Sequence, residues 1–190
     1  MKLAFQLAYK NLIGSGLRTW LNVGVLSFAF VIMIFYNGLI DGWDQQAKID
    51  SVAWEYGHGQ FLQENYDPYD PFTLQDGHAE YDNQQIEGLC PILIRQATIY
   101  PDGRMLSVSL KGIEAQQEIL QLPTAQLESS EAFIPAVIGK RMAESANLEQ
   151  GDEVLLRWRD KNGTFDAANI TIVSIFDCNV PNVDNGQIWV

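Results

Sequence analysis

Residues 19–40 read TWLNVGVLSFAFVIMIFYNGLI, twenty-two residues without a charged side chain. A helix rises 1.5 Å per residue, so such a run covers about 33 Å, enough to cross a hydrocarbon core about 30 Å thick. Twelve of the twenty-two are Leu, Ile, Val or Phe. At about −0.3 to −0.6 kcal/mol each near the bilayer centre, they supply on the order of −4 to −7 kcal/mol towards insertion. Asn22 and Asn37, the costliest residues, lie near the ends, and Trp20, Tyr36 and Trp43 sit where an aromatic belt would. The alternative is a buried core helix, which a charge-free run of this length disfavours.

Charge gives the segment a direction. Residues 1–40 contain Lys2, Lys10 and Arg18 and no acid. All 24 acids fall in 41–190, against nine Lys and Arg, so the first part carries +3 and the rest −15. The positive-inside rule then keeps the N-terminus in the cytoplasm and sends residues 41–190 across the cytoplasmic (inner) membrane into the periplasm. The flanks FYNGLIDGWD lack a small-x-small cleavage site, so the segment reads as an uncleaved anchor. Ahead of it, KLAFQLAYKNLI (2–13) puts Leu3, Phe5, Leu7, Leu12 and Ile13 on a broad apolar face and Lys2, Gln6, Lys10 and Asn11 on the other. That pattern suits a helix within residues 1–18 lying on membrane lipid at the cytoplasmic surface, with Gly14-Ser15-Gly16 as the bend. A spanning helix that begins early is the alternative.

The chain thus divides into three regions: 1–18 at the cytoplasmic surface, 19–40 in the membrane and 41–190 outside. A charge of −15 on the exterior excludes nucleic acid, which needs clustered cations, and disfavours docking on anionic lipid. A well-solvated acidic surface is the simplest reading. Cys90 and Cys178 both lie outside, where one bridge closing an 87-residue loop would add about 4 kcal/mol. Two unpaired buried cysteines are the alternative.

The exterior reads as α+β. Residues 41–52 continue the helix into solvent, 53–62 (AWEYGHGQFL) look like a strand, and the stretch around Pro68 and Pro71 is a loop. A helical turn is expected over 83–89. ILIRQATIY (92–100) and RMLSVSLKGI (104–113) form a hairpin through Pro101-Asp102-Gly103. EAQQEILQL (114–122) is expected to be a short helix, 124–131 a loop, AFIPAVIG (132–139) a strand and KRMAESANL (140–148) a helix. EVLLRWRD (153–160) and NITIVSIF (169–176) are strands joined through Asn162-Gly163, and GQIWV (186–190) starts another.

Chemistry-bearing motifs are few. No P-loop, GxSxG, HExxH or CxxC occurs, and no catalytic, cofactor or metal residue is assigned. His58 and His78 flank Asp67, Asp70, Asp76, Glu80 and Asp82, but their spacing matches no ligand pattern and suits turn capping. Asn162 and Asn169 begin glycosylation-type triplets inside the hairpin. Trp54, Tyr56 and Trp158 read as core or sheet-face packing.

Five stretches together resemble the MacB/FtsX-like permeases of ABC transporters, which include the LolC- and LolE-type lipoprotein-release subunits. They are LAYKNLIGSGLRTWLNVGVLSF, YGHGQF (56–61), VSLKGIEAQQE (108–118), AVIGKRMAESANLEQGDEVLL (136–156) and ITIVSIFDCNVPNVDNGQIWV. Ala115 stands where that family usually has proline, Met142 where it has leucine and Ser174 where it has glycine, while Asp184 matches an acid. The resemblance implies a porter-like external part with a β-rich inserted subdomain. It also implies a non-catalytic permease subunit, a separate cytoplasmic ABC ATPase, a second permease copy or paralogue, and a possible envelope partner protein. Family members carry four spanning helices and this chain has one, so it is expected to be a fragment of a longer permease or a truncated form. A single-pass anchored binding module is the alternative.

Overall fold

The break between the first two helices falls at Ser15-Gly16, where Gly16 has φ +61°. The computed structural model describes residues 2–67, 70, 73, 77, 88–128, 134–160 and 163–190. Helix α1 covers Lys2–Gly14 and α2 covers Leu17–Ser51. The two are therefore separate helices, as expected for a bend after a surface segment. Ser15 and Thr19 share a side-chain hydrogen bond across the break. None of the side chains in the apolar stretch of α2 is buried, although it contains Leu21, Phe28, Val31, Ile34 and Phe35. A soluble core helix would bury that face; this one is long and apolar enough to cross a membrane. Asn37 donates to the Met33 carbonyl at 3.0 Å, so part of this side chain's hydrogen-bonding capacity is met within its own helix.

The chain divides into two compact units, Met1–Ala47 and Lys48–Val190. The second unit is built on six strands: β1 (Ile92–Ile99), β2 (Leu106–Ile113), β3 (Pro135–Gly139), β4 (Glu153–Arg159), β5 (Phe165–Phe176) and β6 (Gln187–Trp189). They close into a barrel in the order β1-β2-β6-β3-β5-β4. β2 pairs with β6, and β3 with β5, in parallel; the other neighbours are antiparallel. Closure removes the exposed edges that short strands would otherwise offer to other chains.

Alternation along the strands fills the interior. Ala97 and Ile99, Val108, Ala136 and Ile138, Val154 and Leu156, Ile170 and Ile172, and Ile188 form one cluster. Helix α4 (Lys140–Ala146) adds Met142, Ala143 and Ala146 to it. A second cluster uses the other face of β3 and β6: Val137 and Trp189 pack with Phe176, Val180 and Val183. β3 is thus buried on both faces, which is why PAVIG is apolar at successive positions rather than alternating.

Two expected elements take another form. Residues 53–62 hold no strand: Val52–Tyr56 is a single π-helical turn continuing α2. Residues 114–122 hold no helix. Gln117 turns its side chain back on the local backbone, accepting from the N–H of Ile119 and Leu120 at 2.9 and 2.7 Å and donating to the Leu120 carbonyl. That side chain offers the backbone an alternative to helical pairing. A short helix, α3 (Ala125–Glu128), lies instead in the expected loop 124–131. A further helix, α5 (Pro181–Gly186), precedes β6. The hairpins 92–113 and 153–176, the strand at 135–139 and the helix at 140–146 agree with the sequence pattern. The expected turn at 83–89 lies mostly outside the described residues.

Asp184 of α5 is almost fully buried and accepts the Arg141 N–H at 3.2 Å, two residues past the α4 N-cap Gly139. It also pairs with the Arg141 guanidinium at 3.1 Å. A carboxylate there satisfies an orphan donor and complements the helix dipole. At the other end of α4, Arg104 donates to the Ala146 carbonyl at 3.0 Å. Gly139 sits directly against the Asp184 backbone, and a Cβ at 139 would lie 2.6 Å from the Asp184 carbonyl carbon. Gly139→Ala should therefore destabilise the barrel by about 3 kcal/mol through forced backbone movement. Asp184→Ala, which removes a cap and a half-exposed ion pair, should cost about 2 kcal/mol. Denaturant unfolding followed by tryptophan fluorescence checks both; a Gly139→Ala chain as stable as wild type would contradict the close packing.

Candidate functional site

At Ser51 the long helix gives way to one wide turn, closed by the Gly57 N–H on the Val52 carbonyl at 3.0 Å. Gly57 has φ +62°, ψ −157°, a conformation that only glycine adopts without strain, so the chain reverses there. Isolated π-turns recur at functional sites because they re-aim side chains. Here three successive residues are fixed against the barrel by three different interactions. The Ala53 carbonyl accepts the Gln121 N–H at 2.9 Å. Trp54 stacks on Phe176 with centroids 5.7 Å apart and planes 13° from parallel. Glu55 enters a buried polar node.

In that node Glu55 Oε1 accepts from Gln187 Nε2 at 2.8 Å and faces Lys111 Nζ at 3.7 Å. The Lys111 ammonium lies 4.7 Å from the Trp189 ring centroid. Glu55, Lys111, Gln187 and Trp189 are all buried. Burial pushes the Lys111 ammonium below the ordinary lysine value of 10.5, and Glu55 pulls it partly back. Gln187 Oε1 and the Trp189 indole N–H are buried with no hydrogen-bond partner among the described residues. Beside the node an open groove of ≈ 320 Å³ is lined by Glu55, Ser109, Asn182, Asn185, Gly186 and Gln187.

The residues singled out in the sequence fall elsewhere. His58 is exposed, Asp67 and Asp70 lie in the loop, and His78, Asp76, Glu80 and Asp82 are outside the described residues. Among the described residues no three His, Cys, Asp or Glu side chains converge as metal ligands would. Cys90 and Cys178 are both free, with Cys178 buried and its thiol 3.6 Å from the Val180 carbonyl. Burial raises both thiols above their ordinary range. Trp54 and Trp158 pack as read, partly buried against the two clusters, whereas Tyr56 is exposed. Glu55 was not singled out by sequence. Its signal was slight: one acid between two aromatic residues, where a solvated helix end carries no such constraint. Lys111 and Gln187 fall within two of the stretches that carry the family resemblance. No protein-family model and no curated protein matches the chain.

Glu55→Gln leaves Lys111 buried without its counter-charge and should cost about 3 to 5 kcal/mol, whereas adding Lys111→Met should recover most of the loss. The pH dependence has a definite sign. Between the lowered Lys111 value and 10.5 the unfolded chain holds a proton the folded chain has released, so Lys111 makes stability rise with pH in that window. Unfolding of wild type and Lys111→Met compared between neutral pH and about 10.5 checks this, the rise being smaller in the variant.

Proposed function

We propose that the chain is the N-terminal part of an ABC-transporter permease of the MacB/FtsX-like kind. The N-terminus lies in the cytoplasm, α2 spans the inner membrane and the barrel lies outside. The carrying observation is α2: one uninterrupted helix runs from the charge-free segment to Ser51, and the turn that ends it is clamped by Ala53, Trp54 and Glu55. A stiff element held at its outer end can pass movement to the domain that holds it, if it has two arrangements. The buried Glu55–Lys111–Gln187 node is where the second arrangement would begin. ATP hydrolysis resides on a separate cytoplasmic ATPase, as the family resemblance implies. A second permease copy or paralogue completes the transporter, whose task is export or lipoprotein release. The five ordered sequence stretches support the family, and the substrate is left open by them.

The groove beside Glu55 favours a second reading, a single-pass anchored module that binds an envelope partner without transport. Co-purification of the complete gene product from membranes separates the two. A stoichiometric P-loop ATPase, with nucleotide-dependent activity of the complex, supports the permease; a chain that purifies alone supports the module. Within the permease, Gln45→Gly with Gln46→Gly places two residues, each about 1 kcal/mol less helical than alanine, in the helix beyond the membrane. ATP hydrolysis should continue while transport falls severalfold. Unchanged transport would exclude α2 as the transmitting element.

A further inference from the structure

Ser109 of β2 and Gln187 of β6 are register neighbours in a parallel pair, so their side chains leave the same face of the sheet. Lys111 and Trp189 follow on that face, two residues further along each strand. Glu55 meets this face from the wide turn, and its Oε1 takes both the Gln187 amide and the Lys111 ammonium. Its Oε2 makes no hydrogen bond to a described residue. Gln187 is 5 % exposed, and its Oε1 is buried with no donor among the described residues. Both residues line the ≈ 320 Å³ groove. A buried acceptor without a donor is costly, and a ligand that donates to it recovers that cost. The other polar side chains of the lining are Ser109, Asn182 and Asn185. The Ser109 hydroxyl and the Asn182 amide make no hydrogen bond to a described residue. Asn185 accepts from Ser145 Oγ at 3.4 Å, which leaves its own N–H groups for a ligand.

We propose that this groove binds an uncharged sugar unit. The lining offers acceptors (Glu55 Oε2, Gln187 Oε1) beside donors (the Ser109 hydroxyl and the Asn182 and Asn185 amides), and a sugar hydroxyl is both donor and acceptor. Charge excludes the other small ligands. An anion would find no lysine or arginine in the lining and an exterior carrying −15 around it. A cation would meet a carboxylate whose charge Lys111 already answers. Among the described residues no three side chains converge as metal ligands would. An apolar ligand would strip water from these amides and give nothing back. A peptide adding itself as a strand needs a free sheet edge, and β2 and β6 are each paired on both sides. The volume lies at the small end of ligand sites, about 300 to 1,000 Å³, which suits one sugar unit rather than a long chain. The proposal holds for a permease and for an anchored module alike, so its failure leaves both readings standing.

The test uses the full-length chain in phosphatidylcholine nanodiscs, free of sugar-headed detergent. Glucose, galactose, mannose and N-acetylglucosamine, and a disaccharide of each, are titrated by saturation-transfer NMR. At least one should bind with a Kd below about 10 mM. For that sugar, Ser109→Ala, Asn182→Ala and Asn185→Ala should each raise Kd roughly three- to tenfold, the effect of losing one neutral hydrogen bond. All three positions are exposed or half-buried, so these variants should keep the wild-type unfolding midpoint. Ser107→Ala, exposed on the same strand but outside the groove, should leave Kd unchanged. Spermidine and an end-blocked trialanine serve as the cationic and peptide probes and should not displace the sugar. No sugar bound at about 10 mM, a sugar bound equally well by all the folded groove variants, or displacement by spermidine or trialanine each overturns the proposal.

Discussion

A carboxylate taken out of water next to an ammonium organises the end of the long helix. Glu55 and Lys111 are each about nine-tenths buried, and their side chains face each other at 3.7 Å, so each offsets part of the other's desolvation. Their meeting joins two segments more than fifty residues apart, and Gln187 adds a third from the end of the chain. Trp54 on Phe176 and Ala53 on Gln121 hold the same turn by apolar and backbone contacts. Lys48 to Tyr56, the last turn of α2 and the wide turn after it, belongs to the same compact unit as the barrel.

Barrel closure carries the second constraint. Parallel pairing of β2 with β6 and of β3 with β5 brings together strands distant in sequence. Helix α4 and helix α5 must then sit over β3, and the space between them is narrow enough to require glycine at 139. Asp184 turns that crowding into a stabilising contact by capping α4 and pairing with Arg141. The acid noticed in the sequence as part of a family pattern thus has a structural role, as a helix cap supplied from another element.

Local pattern accounts for most of the individual strands. Pro101-Asp102-Gly103 and Asn162-Gly163 mark two hairpins whose strands pair in register over eight and seven positions. Where the pattern misled, a long-range or side-chain contact had taken over the backbone. AWEYGHGQFL carries the aromatic content of a strand, yet Trp54 and Glu55 are captured by the barrel as a wide helical turn. EAQQEILQL has helical composition, yet Gln117 occupies the N–H groups that a helix would use, and Gln121 donates to Ala53 instead. Both outcomes need partners from outside the window in which propensity acts.

Sequence alone determined the long apolar helix, the charge asymmetry across it and the α+β character of residues 41–190. These are properties of composition and short-range periodicity, carried by each segment independently of its neighbours. Only the tertiary structure decided that the strands close into a barrel and that Glu55 meets Lys111 and Gln187. Those facts depend on which distant residues become neighbours. Desolvation then gives a pair such as Glu55 and Lys111 an importance that neither residue has in the open chain.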